Sequence, residues 1–393
     1  MNRRTTRNSI VAAAFLVATS AVGPGFLTQT AVFTEQLLAS FGFVILVTII
    51  LDIIAQLNIW RVIVVSQRRA QDIANDVFPG LGYILAGLIV FGGLAFNIGN
   101  IAGAGLGIEI LTGLDPRLGA AVSCLLAIGI FMARHAAVAM DWLIKILGML
   151  MIGLILYVAW KSNPPLGDVL RETVMPSRIN FHAILTLVGG TVGGYITFAG
   201  AHRLIDAGVK GLSHVKSADR SAVSAIGLAS VMRTVLFLAA LGVVAHGVAL
   251  DAANPAGSVF RIASGEIGHF VFGIVLWCAA ISSVVGAAYT SVSFLKSLHP
   301  KLLRHEHRLI IGFILVSTAT FTAIGKPVQV LIFAGAVNGL ILPLALGVML
   351  IAANKHAIVG TAYRHPRWLT ALGIAVVASM AYIGVASVLA GLA

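Results

Sequence analysis

Gly189-Gly190-Thr191-Val192-Gly193-Gly194 stands in the middle of an apolar run, residues 181–206, and Gly23-Pro24-Gly25 stands in the middle of another, residues 10–36. About 20 apolar residues carry a helix across about 30 Å of hydrocarbon. Both runs are long enough, yet each holds helix-breaking residues near its centre. Pro24 lacks a backbone donor and is flanked by two glycines, which predicts an unwound turn. Interruptions at corresponding places in two halves of a membrane chain are the best sequence pointer to a midplane binding site.

Outward from these breaks the chain reads as membrane throughout. Of 393 residues, 59% are apolar and 10% are charged, against about a quarter charged in soluble domains. The mean hydropathy is +1.00, which excludes an ordinary soluble protein. Eleven apolar runs fall at 10–36, 41–66, 81–112, 118–134, 141–160, 181–206, 222–249, 267–298, 308–324, 328–351 and 369–391. The predicted fold class is therefore an all-α membrane protein of eleven transmembrane helices in one domain over 1–393. Residues 10–160 form one five-helix repeat, 181–351 a second of opposite topology, and 369–391 an added helix, with the first and sixth helices broken. Arg3, Arg4 and Arg7 before the first run resemble a secretory leader, but so many further runs, and a helical pattern that resumes after Gly25, argue that it is retained.

The net charge of +12 comes from 26 basic and 14 acidic residues scattered in short clusters between runs. That scatter argues against a nucleic-acid partner, which needs a basic face. It reads instead as topology. Sixteen Lys and Arg fall in one set of loops and six in the other, which predicts a cytoplasmic N-terminus and an outside C-terminus in the cell membrane. Cys124 and Cys278 lie inside apolar runs and suggest neither a disulfide framework nor a thiolate cluster. Gly99, Gly103 and Gly107, four apart, read as a close-packing stripe.

The chain resembles the Nramp family of proton-coupled divalent-metal transporters, a family of LeuT-type architecture, over roughly residues 10–350. Family members carry Asp-Pro-Gly-Asn in the first helix, where this chain has Gly23-Pro24-Gly25-Phe26. The family's Gly-Ala-Thr-Val-Met-Pro-His looks like Gly189-Gly190-Thr191-Val192-Gly193-Gly194-Tyr195, and its Asp-x-x-Glu falls on Asn97 and Asn100. Ser282-Ser283-Val284-Val285-Gly286 and Leu342-Pro343-Leu344-Ala345-Leu346 match in the eighth and tenth helices. The resemblance implies an alternating-access transporter and no enzyme.

Side chains that hold metal in the family align here with Gly23, Phe26, Gly193 and Gly335, none of which offers a donor. Transition metals need N, O or S ligands. Losing the site carboxylate forfeits about 8 kcal/mol of attraction to a dication at 4 Å, for an effective dielectric near 20. Gly23, Gly193 and Gly194 vacate volume where the family clamps an ion, while Phe26 and Tyr195 offer apolar and hydrogen-bonding surface. Each resumed helix brings an N-terminus of roughly +0.5 charge with no Asp to neutralise it. The predicted substrate is a small organic, carboxylate-bearing metabolite. It is held by Gly23, Pro24, Gly25, Phe26, Gly193, Gly194, Tyr195, Gly335 and Asn338, with no metal site and no cofactor. A divalent cation such as manganese, iron or magnesium held by carbonyls and water is the alternative.

The coupling ion is read as a proton or sodium. Amides at Asn97 and Asn100 cannot relay protons as an acidic pair could. Asp52, His202, His246 and Glu109 are the remaining proton carriers, and Ser282 and Ser283 could hold sodium. His202 and Arg203 read equally as a gate or as markers of the inner membrane boundary. Arg233 and Arg61 read as vestibule residues or as snorkelling ones, and His305-Glu306-His307 as a solvated loop. An intramembrane enzyme would need clustered catalytic groups at depth, absent from this sequence, and a sensor would normally add a soluble domain. The partners expected are a small-molecule substrate and membrane lipid, with the chain acting as a monomer.

Overall fold

The computed structural model describes residues 23–296 and 304–392, with side chains described throughout except at 134–145, 296, 391 and 392. Among the described residues all regular structure is helical. Helix α1 (Pro24–Leu37) passes through a single 3-10 turn into α2 (Phe41–Ser66), and a short α3 (Ala70–Val77) leads to α4 (Leu81–Thr112). Helices α5 (Pro116–Met132) and α6 (Arg134–Lys161) complete the first half. The second half runs α7 (Leu166–Val174), α8 (Phe181–Thr191), α9 (Tyr195–Asp206), α10 (Val215–Val244), α11 (Pro255–Lys296), α12 (Glu306–Ile324) and α13 (Pro327–Ala353). A four-residue α14 (His356–Val359) precedes α15 (Arg367–Leu392).

Within the described residues, the expected runs fall on helix. Eight stretches of the described residues are long and apolar enough to cross a membrane, and the pair Ile146–Lys161 and Leu166–Val174, bent by 104°, makes a ninth if counted as one. The stretch Pro24–Ser66 counts as one by composition, but its 43 residues would run about 65 Å as a straight helix. It turns instead at Leu38 (φ 51) and supplies two rods. Residues 10–22, the part of the first span before the expected break, lie outside the described residues; at the break itself Gly23 is extended (φ −95, ψ −174) and helix runs from Pro24 onward.

Three features were not expected. Helices α3 and α7 occupy stretches read as loops, because both are amphipathic and too short to register as apolar runs. Exposed Leu166, Leu170 and Val174 share one face of α7. Helix α11 begins at Pro255, a dozen residues before the expected run, and bends at Gly265 (φ 71). The polar Ser264-Gly265-Glu266 at the bend hides the first segment from a hydropathy window.

Local chemistry sets the helix starts. Asp115 Oδ1 accepts from the Arg117 N–H at 2.8 Å ahead of Pro116 in α5. Asn180 Oδ1 does the same for Ala183 at 3.0 Å in α8. Such caps satisfy first-turn donors that the helix itself leaves unpaired. Helix α4 lies at the centre, packed along α11, α13 and α5, while α8 packs on α13, α10 on α2 and α15 on α13. The glycines of α4 serve that packing: a Cβ at Gly103 would overlap Pro24, and one at Gly107 would sit 2.7 Å from the Trp277 Cβ.

Polar contacts divide the two ends of the bundle. At one end Arg61 pairs with Asp219 at 2.7 Å, Arg69 with Asp206 at 3.2 Å, and Arg68 with Asp76. Lys355 Nζ donates to the Val77 carbonyl there. At the other end Ser40 donates to Glu172 at 2.6 Å and the Leu250 N–H donates to Glu35 at 2.7 Å. The ends of α2, α9 and α13 thus meet the starts of α10 and α15, as alternating crossings require. Arg61 is held by a bidentate carboxylate and does not snorkel.

The loop before α15 closes this ionic end. His365 Nε2 lies 2.9 Å from Asn58 Oδ1 and its Nδ1 lies 2.8 Å from the Tyr363 hydroxyl. Burial, then the neighbouring Arg61 guanidinium, hold the His365 imidazole down at about 4. Unfolded, it titrates near 6.5, so between about 6.5 and 4 the unfolded chain binds the extra proton and the folded chain is the loser. Thermal melts should fall as pH is lowered through that window. His365→Gln should flatten the slope, and an unchanged slope in that variant would remove His365 as its source.

Candidate functional site

The sixth span is broken where its sequence predicts. Helix α8 ends at Thr191, Val192–Gly194 leave helical geometry, and α9 starts at Tyr195. The Val192 and Gly193 N–H groups both donate to the Val188 carbonyl, at 2.9 and 3.0 Å, and Ile196 N–H donates to Gly193. Gly194 adopts φ 45, ψ −112, a region closed to side-chain-bearing residues.

A small chamber lies beside the break. Its walls are backbone at Gly23, Gly25, Gly99 and Gly190, the rings of Phe26, Phe96 and Tyr195, the aliphatic Leu331 and Ala334, and the Asn100 amide. Phe96 and Tyr195 meet edge to face at 5.4 Å. The N-termini of α1 and α9 both open here, and neither has an acidic residue in its first turn. The chamber's cavity volume is about 20 Å3, room for about one water. A larger hollow of about 340 Å3, at Ile110, Glu266 and His269, lies open to the outside at the bend of α11.

The predicted site residues separate into a wall and a layer behind it. Gly23, Gly25, Phe26, Tyr195 and Asn100 line the chamber. Gly193, Gly194, Gly335 and Asn338 stand behind it, and the volume that the glycines were expected to vacate is filled by α13. A Cβ at Gly194 would overlap Asn338 Oδ1, one at Gly189 would overlap the Gly335 carbonyl, and one at Gly193 would meet the Asn338 carbonyl at 2.7 Å. Asn338 Nδ2 donates to the Gly92 and Ala334 carbonyls, each at 2.9 Å, which pins its amide under the break. Pro24 packs on α4 at Gly103.

Asn97 and Asn100 part company: Asn100 faces the chamber while Asn97 donates to Ser317 on α12 at 3.0 Å. Ser282 and Ser283 are half-buried and do not reach the chamber wall. His202 Nε2 accepts from the Ala70 N–H at 3.1 Å, so that nitrogen carries a lone pair and the residue docks α3. Arg203 lies on the same helix and acts electrostatically on Tyr195.

Asp52 and Arg233 come together at the chamber's edge. Arg233 is 4% exposed and Asp52 2%, so Arg233 does not snorkel. Its Nη1 donates to Thr191 Oγ1 at 3.0 Å, and its guanidinium lies 4.4 Å above the centre of the Phe26 ring. Asp52 is its electrostatic partner across Thr191. Arg233 Nε and Nη2 and Asp52 Oδ1 have no hydrogen-bond partner among the described residues.

Sequence reasoning missed Gln29, Phe96 and Thr191. Gln29 Nε2 donates to the Leu331 carbonyl at 2.9 Å, and its Oε1 would lie 2.8 Å from a Cβ at Gly190, so it bridges α1, α8 and α13. A polar residue one turn after Gly25 was the available signal. Phe96 shares a helix face with Asn100, four residues on. Nothing in the sequence marks Thr191 as the residue between two charges. Among the described residues no group of three His, Cys, Asp or Glu side chains converges to hold a metal ion.

The model for the family described as "Natural resistance-associated macrophage protein-like" matches residues 14–390. An uncharacterized membrane protein of Bacillus subtilis, YcsG, is 56% identical over 376 residues, covering 96% of this chain and 93% of the relative. An uncharacterized membrane protein of Haemophilus influenzae is 55% identical over 377 residues, covering 96% and 95%. Among solved structures, a manganese transporter of Eremococcus coleocola superposes with a TM-score of 0.72 at 16% identity, over 98% of this chain and 88% of that one. MhsT in complex with L-phenylalanine superposes with a TM-score of 0.64 at 18% identity, over 96% of both chains. These two likenesses establish the LeuT-type fold.

Proposed function

The chain belongs to the Nramp family of membrane transporters, and from that premise we propose that its cargo is a small organic acid. The fold itself accommodates a transporter of manganese and a protein holding L-phenylalanine, so the lining of the chamber has to carry the distinction. The single observation that carries this reading is a wall in which the described residues include no carboxylate, imidazole or thioether: three aromatic rings, one amide and glycine backbone beside two helix N-termini.

A bare dication at this wall would have to regain its hydration energy from neutral carbonyls alone. A carboxylate finds the opposite conditions. Two N-termini offer roughly half a positive charge each, Asn100 can hydrogen-bond, and the rings can cover an organic body. Transport then proceeds by alternating access about the chamber, in the cell membrane with the N-terminus cytoplasmic, by a monomer coupled to a proton or sodium gradient. Lipid covers the outer helix faces. Because the chamber holds little more than one water, loading requires one wall to move, and the broken sixth span is built to hinge.

Thermal-shift and proteoliposome-uptake screening of the purified chain should show saturable stabilisation and uptake with at least one small carboxylate, and none with manganese. Saturable manganese uptake would reverse the assignment in favour of a divalent cation.

A further inference from the structure

We propose that Asp52 and Arg233 form a charge-exchange pair: the cargo carboxylate replaces Asp52 as the counter-charge of Arg233, and Asp52 takes up one proton in return. This inference rests on the organic-acid reading of the chamber and names how that cargo is held and coupled.

Three observations carry it. The chamber is too small for any organic acid, so a wall must move, and Phe26 is the wall residue that separates the chamber from Arg233. Among the described residues the buried guanidinium has no partner for two donors, Nε and Nη2, and the buried carboxylate none for Oδ1. Both groups belong to helices that flank the break through Thr191. A swing of the Phe26 ring off the guanidinium would enlarge the chamber and present the two free donors to it in one motion. The cation–π contact holds the ring closed when the site is empty.

Charge conservation at depth supplies the coupling. With the site empty, Asp52 and Arg233 cancel. A monoanion entering beside them would leave one uncompensated negative charge in a water-poor site, which is costly. A proton from the water on the entry side forms an O–H bond on the Asp52 carboxylate and restores neutrality, with Arg233 now paired to the cargo. Release on the far side returns the anion and the proton together. The net result is electroneutral symport of one proton per monoanion.

Among the described residues the other charged groups of the elements packed on α2 are engaged elsewhere or not buried: Glu35 of α1 accepts from the Leu250 N–H, Asp76 of α3 pairs with Arg68, Asp72 is not buried and His356 of α14 is exposed. Of the helices packed on α2, α10 presents Arg233, while its Asp219 is taken by Arg61 and its Lys216 and Arg220 are exposed. Helix α8 presents Thr191, and its His182 lies 2.8 Å from Ser387. On α9, His202 is bound to Ala70, Asp206 to Arg69, and Arg203 acts on Tyr195. On α7, Glu172 is bound to Ser40 and Ser177, and Asp168 and Arg171 are not buried. Helix α13 has no titratable side chain. Arg367 and Tyr382 of α15 are exposed.

The test uses the full chain and four monoanions, acetate, L-lactate, pyruvate and benzoate, with Kd measured at pH 6 and pH 8 and proton uptake followed by pyranine in weak buffer. The wild type should bind at least one of them more than tenfold more weakly at pH 8 and take up one proton per anion bound. Asp52→Asn should lose the proton uptake and, with the competing carboxylate gone, bind at least tenfold more tightly than wild type at pH 8. A structural role for Asp52 could not give that tightening. Binding with no proton uptake in wild type, or uptake that persists in Asp52→Asn, overturns the exchange while leaving the cargo class intact. Failure of all four anions to bind overturns the cargo reading and the exchange together. Should Asp52→Asn not fold, wild-type proteoliposomes decide: uptake at a fixed proton gradient should ignore a valinomycin-imposed potential of either sign, and a potential-driven rate overturns electroneutral exchange.

Discussion

Gly194→Ala should leave little folded protein. The backbone there sits at φ 45, ψ −112, a conformation that costs a Cβ-bearing residue about 1–3 kcal/mol. The new methyl would also overlap Asn338 Oδ1, and that amide cannot retreat, since its Nδ2 is anchored to two carbonyls. Overpacking of this kind adds about 1–3 kcal/mol, and together the two reach the lower end of the stability of a typical domain, about 5–15 kcal/mol. Fluorescence-detected size-exclusion after a heating series should show a large drop in melting temperature or loss of the monodisperse peak. Gly286→Ala is the matched control, because a Cβ there has nothing within 4 Å. Equal melting temperatures for the two variants would mean that α13 does not brace the break as described.

The second large effect is expected at Arg233. Arg233→Met removes the partner of a carboxylate that is 2% exposed, and stranding a buried charge costs about 3–5 kcal/mol. The Phe26 ring loses its cation as well, worth about 0.5–2 kcal/mol. Removing both charges together, in Arg233→Met with Asp52→Leu, should recover most of the loss, because an apolar pair of similar volume carries no desolvation penalty. The measurement is a double-mutant cycle on thermal stability. Additive losses in the double variant would show that the two side chains do not share one electrostatic environment.

Much of this architecture was legible in one dimension, and for a definite reason. In lipid every backbone donor must be satisfied within its own segment, so an apolar run of sufficient length has few options besides helix. Within the described residues the expected runs accordingly fall on helices, and the break in 181–206 lies where Val192-Gly193-Gly194 interrupt the pattern. Amphipathic α3 and α7 escaped notice because a hydropathy window averages their apolar face against their polar one. The first part of α11 escaped for a similar reason, its bend being polar.

The site was legible by subtraction. That Gly23, Phe26, Gly193 and Gly335 offer no ligand is a property of residue types and needs no coordinates. What those glycines are for did need them: at Gly193 and Gly194 the missing side chains make room for α13 and leave the chamber small. Likewise Asn97 and Asn100, three apart on one helix, were read as a pair. Neighbouring helices on different sides turn one toward Ser317 and the other toward the chamber.

From residue types alone came the membrane class, the helical content and the location of the break, all of which depend on local composition and on the demands of lipid. Tertiary structure alone decided that Arg233, more than two hundred residues from Phe26, lies across its ring with Asp52 beyond Thr191. That meeting depends on how helix faces interlock, and the rotation of one rod against another is written in many weak packing contacts spread over the whole chain rather than in any short motif.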